Sequence, residues 1–200
     1  MRTGILGGTF DPIHLGHLIT AENALDGAGL DRVILMPTGC SYFKEDQKVT
    51  APQLRYEMTR LAAGDNPKLV VSDMETTRPG NSYTADTLRE LRKTYPDDEL
   101  YYIVGADTLV LMSLWRAPEV IFSLCHVLVE TRPDEIAGKG LLEEIKALRD
   151  KYGADITILP ARNIAISSTE IRGRVRDGHS IRYLVPTAVE NYIREKGLYR

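Results

Sequence analysis

Residues 3–28 read TGILGGTFDPIHLGHLITAENALDGA, from Thr3 to Ala28, and they hold a strand, a turn and a helix in that order. Ile5 and Leu6 sit in a short apolar run that ends at Gly7-Gly8. Two adjacent glycines tolerate positive φ and let the backbone approach a ligand that a side chain would keep away. Thr9 adds a hydroxyl, and Asp11-Pro12 stops the strand from continuing. The helical pattern starts at Leu15 or Gly16, which sets His14 and His17 three residues apart at a helix N-terminus, able to share a face. Unpaired N–H groups and the macrodipole draw anions to such a terminus. Two imidazoles there add N–H donors that can follow charge developing on a phosphate. Histidines also bind metals, so a metal-dependent hydrolase built on His14, His17 and Asp11 stays open beside the phosphate reading.

Further along the chain the same alternation repeats. Short apolar runs at 3–7, 32–36, 69–72, 100–104, 126–129 and 156–159 read as strands. Helical periodicity fills 16–28, 52–63, 85–94, 107–115 and 141–152, and two more helices follow at 168–176 and 186–196. Strands of about five residues, apolar on both faces and separated by helices, signal a parallel sheet covered on both sides. The expected fold is therefore α/β, a doubly wound, Rossmann-like and mostly parallel sheet. Two polar stretches without period, 38–50 and 132–140, read as loops bordering the carboxyl ends of the strands.

The 200 residues suit one domain, with the helical part from about 167 to 200 packed onto it. A net charge of −3 argues against broad nucleic-acid binding, which calls for a basic surface. Cys40 and Cys125 match no metal spacing and read as reduced thiols. No stretch has the length of a membrane span or the pattern of a signal peptide, so a cytoplasmic location is expected. A homo-oligomer stays open beside a monomer.

Near the other end stands Ile166-Ser167-Ser168-Thr169-Glu170-Ile171-Arg172. Ser167 followed by Glu170 is a capping box and by itself says only that a helix starts. Three consecutive hydroxyls at a helix N-terminus also make a phosphate cradle, and Arg172 brings a guanidinium that matches phosphate oxygens.

GGTFDPxHxGH and ISSTxxR resemble the two signatures of the HxGH nucleotidyltransferase superfamily, and in this full form they resemble bacterial nicotinate-nucleotide adenylyltransferases. The likeness runs over nearly the whole chain, ending in Tyr183-Leu184-Val185-Pro186, Tyr192-Ile193 and Leu198-Tyr199, a stretch whose spacing gives it a structural role. The resemblance implies that His14, His17 and Arg172 are catalytic. It implies that ATP is held by Gly8, Thr9, Phe10, Lys44, Gly105, Asp107, Ser167, Ser168 and Thr169. It places nicotinate mononucleotide against Ser82, Tyr83 and Thr84, whose helix would receive the pyridine carboxylate, with Trp115 stacked on the ring and Arg132 near the phosphate. Asp107 is otherwise a helix N-cap, and a lone Trp115 is otherwise a core residue. One departure stands out: Phe43 occupies a position where the family usually carries histidine, beside Lys44.

The implied reaction joins ATP and nicotinate mononucleotide into nicotinate adenine dinucleotide and pyrophosphate, a step of NAD biosynthesis. The attacking phosphate has a second pKa of about 6 and needs no general base. Mg²⁺ is expected as the ion that accompanies ATP, bound mainly through phosphates and water. Related transferases that use nicotinamide mononucleotide or phosphopantetheine remain alternatives.

Overall fold

Six parallel strands make the central sheet, in the order β4 (Leu69–Val71), β2 (Arg32–Pro37), β1 (Arg2–Gly8), β6 (Glu99–Gly105), β7 (His126–Thr131) and β8 (Ile156–Pro160). A computed structural model describes residues 1–41, 49–64, 66–131, 139–161 and 164–200 of the chain. Helices α1 (Leu15–Gly27), α2 (Pro52–Ala63), α3 (Thr84–Thr94), α4 (Ala106–Leu109), α5 (Pro118–Leu124), α6 (Lys139–Tyr152), α7 (Ser168–Arg176) and α8 (Thr187–Glu195) surround it.

Side chains alternate across each strand, and here both faces find apolar partners. Leu6, Leu35 and Ile103 join Ala24 of α1, Met58 of α2, Ile171 of α7 and Ile193 of α8 in one cluster. Their neighbours Ile5, Ile34 and Val104 join Leu88 of α3, Ile121 of α5 and Leu148 of α6 in the other. In the register Ile5 lies between Ile34 and Tyr102, so the middle of β1 is closed on both edges and both faces. The strand order reverses between β1 and β6, and connections leave their carboxyl ends toward opposite faces. That opens a crevice where α/β sheets bind ligands.

All six expected strands are present within two residues of the expected bounds. The helix expected over 107–115 is broken instead: α4 stops at Leu109, a 3-10 turn covers Met112–Leu114, and Ala117 takes a left-handed φ of 53° before Pro118 opens α5. The helix α5 has no counterpart among the helices expected from periodicity. The 38–50 stretch contains a two-residue strand, β3 (Cys40–Ser41), paired in parallel with β5 (Asn81–Ser82). Gly140, expected in a loop, is already helical in α6. Lys44, Phe43 and Arg132 lie outside the described residues.

Candidate active site

Gly8 closes β1 because a ring occupies the space its side chain would need. A Cβ there would come within 2.5 Å of the Phe10 ring. Phe10 is 2% exposed, its backbone held at a φ of 49°, and its ring edge meets His17 with centroids 4.9 Å apart. Phe10 therefore forms the floor beneath the loop, and its side chain does not line the cleft.

His14 caps α1 in extended conformation, with φ −143° and ψ 172°. The imidazoles of His14 and His17 stack with centroids 3.7 Å apart. This packing needs Gly16, since a Cβ at that position would lie 3.0 Å from His14 Nδ1 and Cε1. The His14 backbone N–H donates to His17 Nδ1 at 3.2 Å. An accepting Nδ1 leaves the proton of neutral His17 on Nε2, which is then a donor. Desolvation lowers the His14 pKa to about 4; desolvation and the adjacent His14 lower that of His17 to about 3. Both rings are neutral at pH 7.

The second motif reaches across to the first. Ser167 caps α7 by accepting the Glu170 N–H at 3.1 Å. Ser168 Oγ donates to the Pro12 carbonyl at 2.8 Å, and Arg172 Nη1 donates to the Asp11 carbonyl at 2.8 Å. Arg172 Nη2 donates to Thr169 Oγ1 at 3.2 Å. The fold thus joins groups more than 150 residues apart in direct hydrogen bonds. Asp11 is 4% exposed, and its carboxylate accepts from Tyr199 Oη at 2.7 Å and from the Thr50 N–H at 3.1 Å. A carboxylate so committed is a poor third ligand for a hydrolase metal beside the histidines, and the described residues contain no cluster of three or more His, Cys, Asp or Glu suited to a metal.

A cleft of ≈ 1140 Å³ opens at the carboxyl ends of the strands, lined by Gly8, Thr9, His14, Gly16 and His17 on one side. Ser82, Tyr83, Thr84, Gly105, Asp107 and Trp115 line the other. Tyr83 caps α3, whose N-terminus therefore faces the same cavity as that of α1. The Arg116 guanidinium lies 4.5 Å over the Tyr83 ring. Trp115 is half-buried and stands edge-on to Tyr102, with centroids 6.1 Å apart. Asp107 is exposed and accepts the Thr108 N–H at 2.9 Å.

Sequence reading missed four titratable groups of this cleft. Burial pushes the Glu75 carboxyl up, although Thr87 Oγ1 donates to it at 2.7 Å. Burial also raises Glu130, which accepts from Asn23 Nδ2 at 2.9 Å. The Tyr102 hydroxyl lies 3.4 Å from Thr84 Oγ1, and burial keeps it protonated. Arg116 is the fourth. None stands in a local motif; only their places at strand ends and beside the cap of α3 could have drawn attention to them.

This cleft at the switch point of a parallel sheet is that of a nucleotidyltransferase fold, and the chain belongs to the cytidylyltransferase-like family, whose model matches residues 5–174. Within that family its relatives are more particular. A protein of Desulfitobacterium hafniense strain Y51, named as a probable nicotinate-nucleotide adenylyltransferase, is 45% identical over 201 residues, covering 100% of this chain and 96% of its own. A protein of the same name from Citrifermentans bemidjiense is 46% identical over 212 residues, covering 100% and 98%. In fold, the chain matches the nicotinic acid mononucleotide adenylyltransferase of Plasmodium falciparum complexed with NaAD, at a TM-score of 0.79 and 18% identity, over 99% of this chain and 97% of that one.

Proposed function

We propose that the chain transfers the adenylyl group of ATP to nicotinate mononucleotide, releasing pyrophosphate and nicotinate adenine dinucleotide. The observation that carries this reading is the pair of helix N-termini facing one cleft. The α1 terminus, with its two neutral imidazoles, suits phosphates; the α3 terminus suits a carboxylate. The relatives named above support the same pairing of substrates.

An oxygen of the acceptor phosphate attacks the α-phosphorus of ATP. A new P–O bond forms there, the bond to the β-phosphate oxygen breaks, and pyrophosphate departs with that electron pair. The His17 Nε2–H donates to charge that grows on the phosphates, and neutral His14, stacked against it and lining the same cleft, meets the phosphates beside it. Arg172 has donors beyond the two used within the protein, available to the departing pyrophosphate. Catalysis then consists of alignment and charge stabilisation, with no side chain required as a base.

Ser82, Tyr83 and Thr84 receive the pyridine carboxylate, and Trp115 packs on the ring. Ser167 and Ser168 act on ATP mainly by fixing helix and loop, Thr169 by holding Arg172. Lys44 and Arg132 remain assigned to phosphates. Asp107 fits the role of a single carboxylate beside an Mg²⁺ ion that ATP brings, because it is exposed within the cleft. Such an ion would neutralise phosphate charge. No helix among the described residues is long and apolar enough to cross a membrane, and the reaction belongs with cytoplasmic nucleotide pools.

Pyrophosphate release from ATP tests the reading, with nicotinate mononucleotide, nicotinamide mononucleotide and phosphopantetheine compared as acceptors. Nicotinate adenine dinucleotide is the expected dominant product. Faster turnover with either other acceptor would overturn the assignment of the α3 terminus.

A further inference from the structure

The loop that carries the phosphate-facing groups does not hold its own shape. Phe10 sits in the left-handed region at a φ of 49°, a conformation that a bulky residue keeps only where surroundings enforce it. The enforcing contacts come from far along the chain. Arg55 of α2 is 1% exposed and donates to three carbonyls: Thr9 at 2.6 Å, Thr50 at 2.8 Å and Gly39 at 2.9 Å. Those carbonyls belong to the segments after β1, before α2 and after β2. From the other side, Tyr199 Oη donates to Asp11 Oδ1 at 2.7 Å, while Asp11 Oδ2 takes the Thr50 N–H at 3.1 Å. Tyr199 is itself at a φ of 65°. Burial and the Asp11 charge raise its pKa, so the hydroxyl stays a donor. Arg55 and Tyr199 thus grip the two ends of one short loop, and both also act through Thr50, directly or by way of Asp11.

Resting on the reaction proposed above, we infer that Tyr199 and Arg55 are positioning residues for adenylyl transfer: through Asp11 and the Thr9 carbonyl they fix the 9–12 loop so that His14, His17 and Arg172 meet the ATP phosphates. The reaction exerts no demand on either side chain directly. Their effect travels through the loop, and it falls on ATP rather than on the acceptor, whose wall is built by α3 and the 105–116 segment.

Tyr199→Phe deletes one hydroxyl and keeps the ring. The expected result is a fall of at least tenfold in kcat/KM for ATP, with KM for nicotinate mononucleotide within twofold of wild type and the circular dichroism spectrum unchanged. Arg55→Lys keeps the charge, but one ammonium cannot span three carbonyls set around a guanidinium, so a larger fall of the same kind is expected. A folded Tyr199→Phe protein with kcat and both KM values within twofold of wild type overturns the proposal. So does an equal rise in both KM values, which marks a general loosening. If Tyr199→Phe does not fold, Arg55→Lys decides by the same readout, and if neither folds the two residues are pillars of the fold alone and the proposal fails. A wild type inactive with every acceptor overturns the reaction instead. The Kd for α,β-methylene-ATP then decides: at least fivefold weaker in Tyr199→Phe is expected, and an equal Kd overturns the proposal.

Discussion

His14 and His17 differ from ordinary surface histidines because each is held by its neighbour. Stacking at 3.7 Å and burial make a second positive charge in this corner unfavourable. In the unfolded chain both take up protons near 6.5, the ordinary imidazole value; in the folded chain they do so only near 4 and 3. Between those limits the unfolded state binds more protons, so the pair lowers stability as pH drops below about 6.5, and the loss levels off below the folded values. The corresponding NMR prediction is direct. The imidazole resonances of His14 and His17 in the free protein hold their neutral positions from pH 8 down to about 5. A midpoint near 6.5 for either ring would contradict the neutral-donor role. The pair itself was legible because its members and Gly16 are close in sequence. The hydrogen bond that fixes the His17 tautomer was not, since it depends on the extended backbone of His14.

At the level of elements, α1 shows stability and activity pulling apart. Gly16 lies in its first turn, where alanine would gain up to about 1 kcal/mol in helix propensity. The same methyl would press on His14 at 3.0 Å and move the stacked pair. Gly16→Ala is therefore expected to keep its melting temperature within a few degrees of wild type, or raise it, while kcat falls at least tenfold. Thermal melts and steady-state rates on one preparation check this, and an unchanged kcat would show that the ring contact is not tuned. Elements differed in how readily the sequence disclosed them. The six strands were legible from apolar, β-branched runs buried on both faces. A two-residue pairing such as β3 with β5 has no period to detect. The 107–115 stretch has helical spacing in the sequence, and Leu109 and Met112 are both buried, yet the chain turns between and after them. Of the site, the phosphate motifs were readable, whereas Glu75, Tyr102, Arg116 and Glu130 are assembled by topology from distant elements and carry no local signature.

For the whole molecule, the sheet divides the labour of its two apolar clusters. The cluster on the α1 side is completed by the last 30 or so residues, with Ile171, Ile181, Val185, Val189 and Ile193 in the same cluster as Phe10 and Ile13. Leu184 extends the same support by accepting the Leu15 N–H at 2.9 Å, at the start of α1. Stability and substrate contact should therefore separate when a deep residue and a rim residue are compared. Ile193 is 2% exposed, and Ile193→Ala removes three buried carbons, a loss of about 2–5 kcal/mol. For a chain of this length the melting temperature should fall by roughly 5–15 °C. Leu114, 77% exposed at the mouth of the cleft beside Trp115, should shift it by less than about 2 °C when changed to alanine. The kinetics should run the opposite way. Below its melting range Ile193→Ala retains KM for nicotinate mononucleotide, while Leu114→Ala raises it severalfold by baring one side of the ring pocket. Calorimetry with initial rates at 25 °C distinguishes the two. A Leu114→Ala protein unchanged in KM would remove the rim from the acceptor site, and an Ile193→Ala protein of native stability would mean that α8 does not share the core on which the phosphate loop rests.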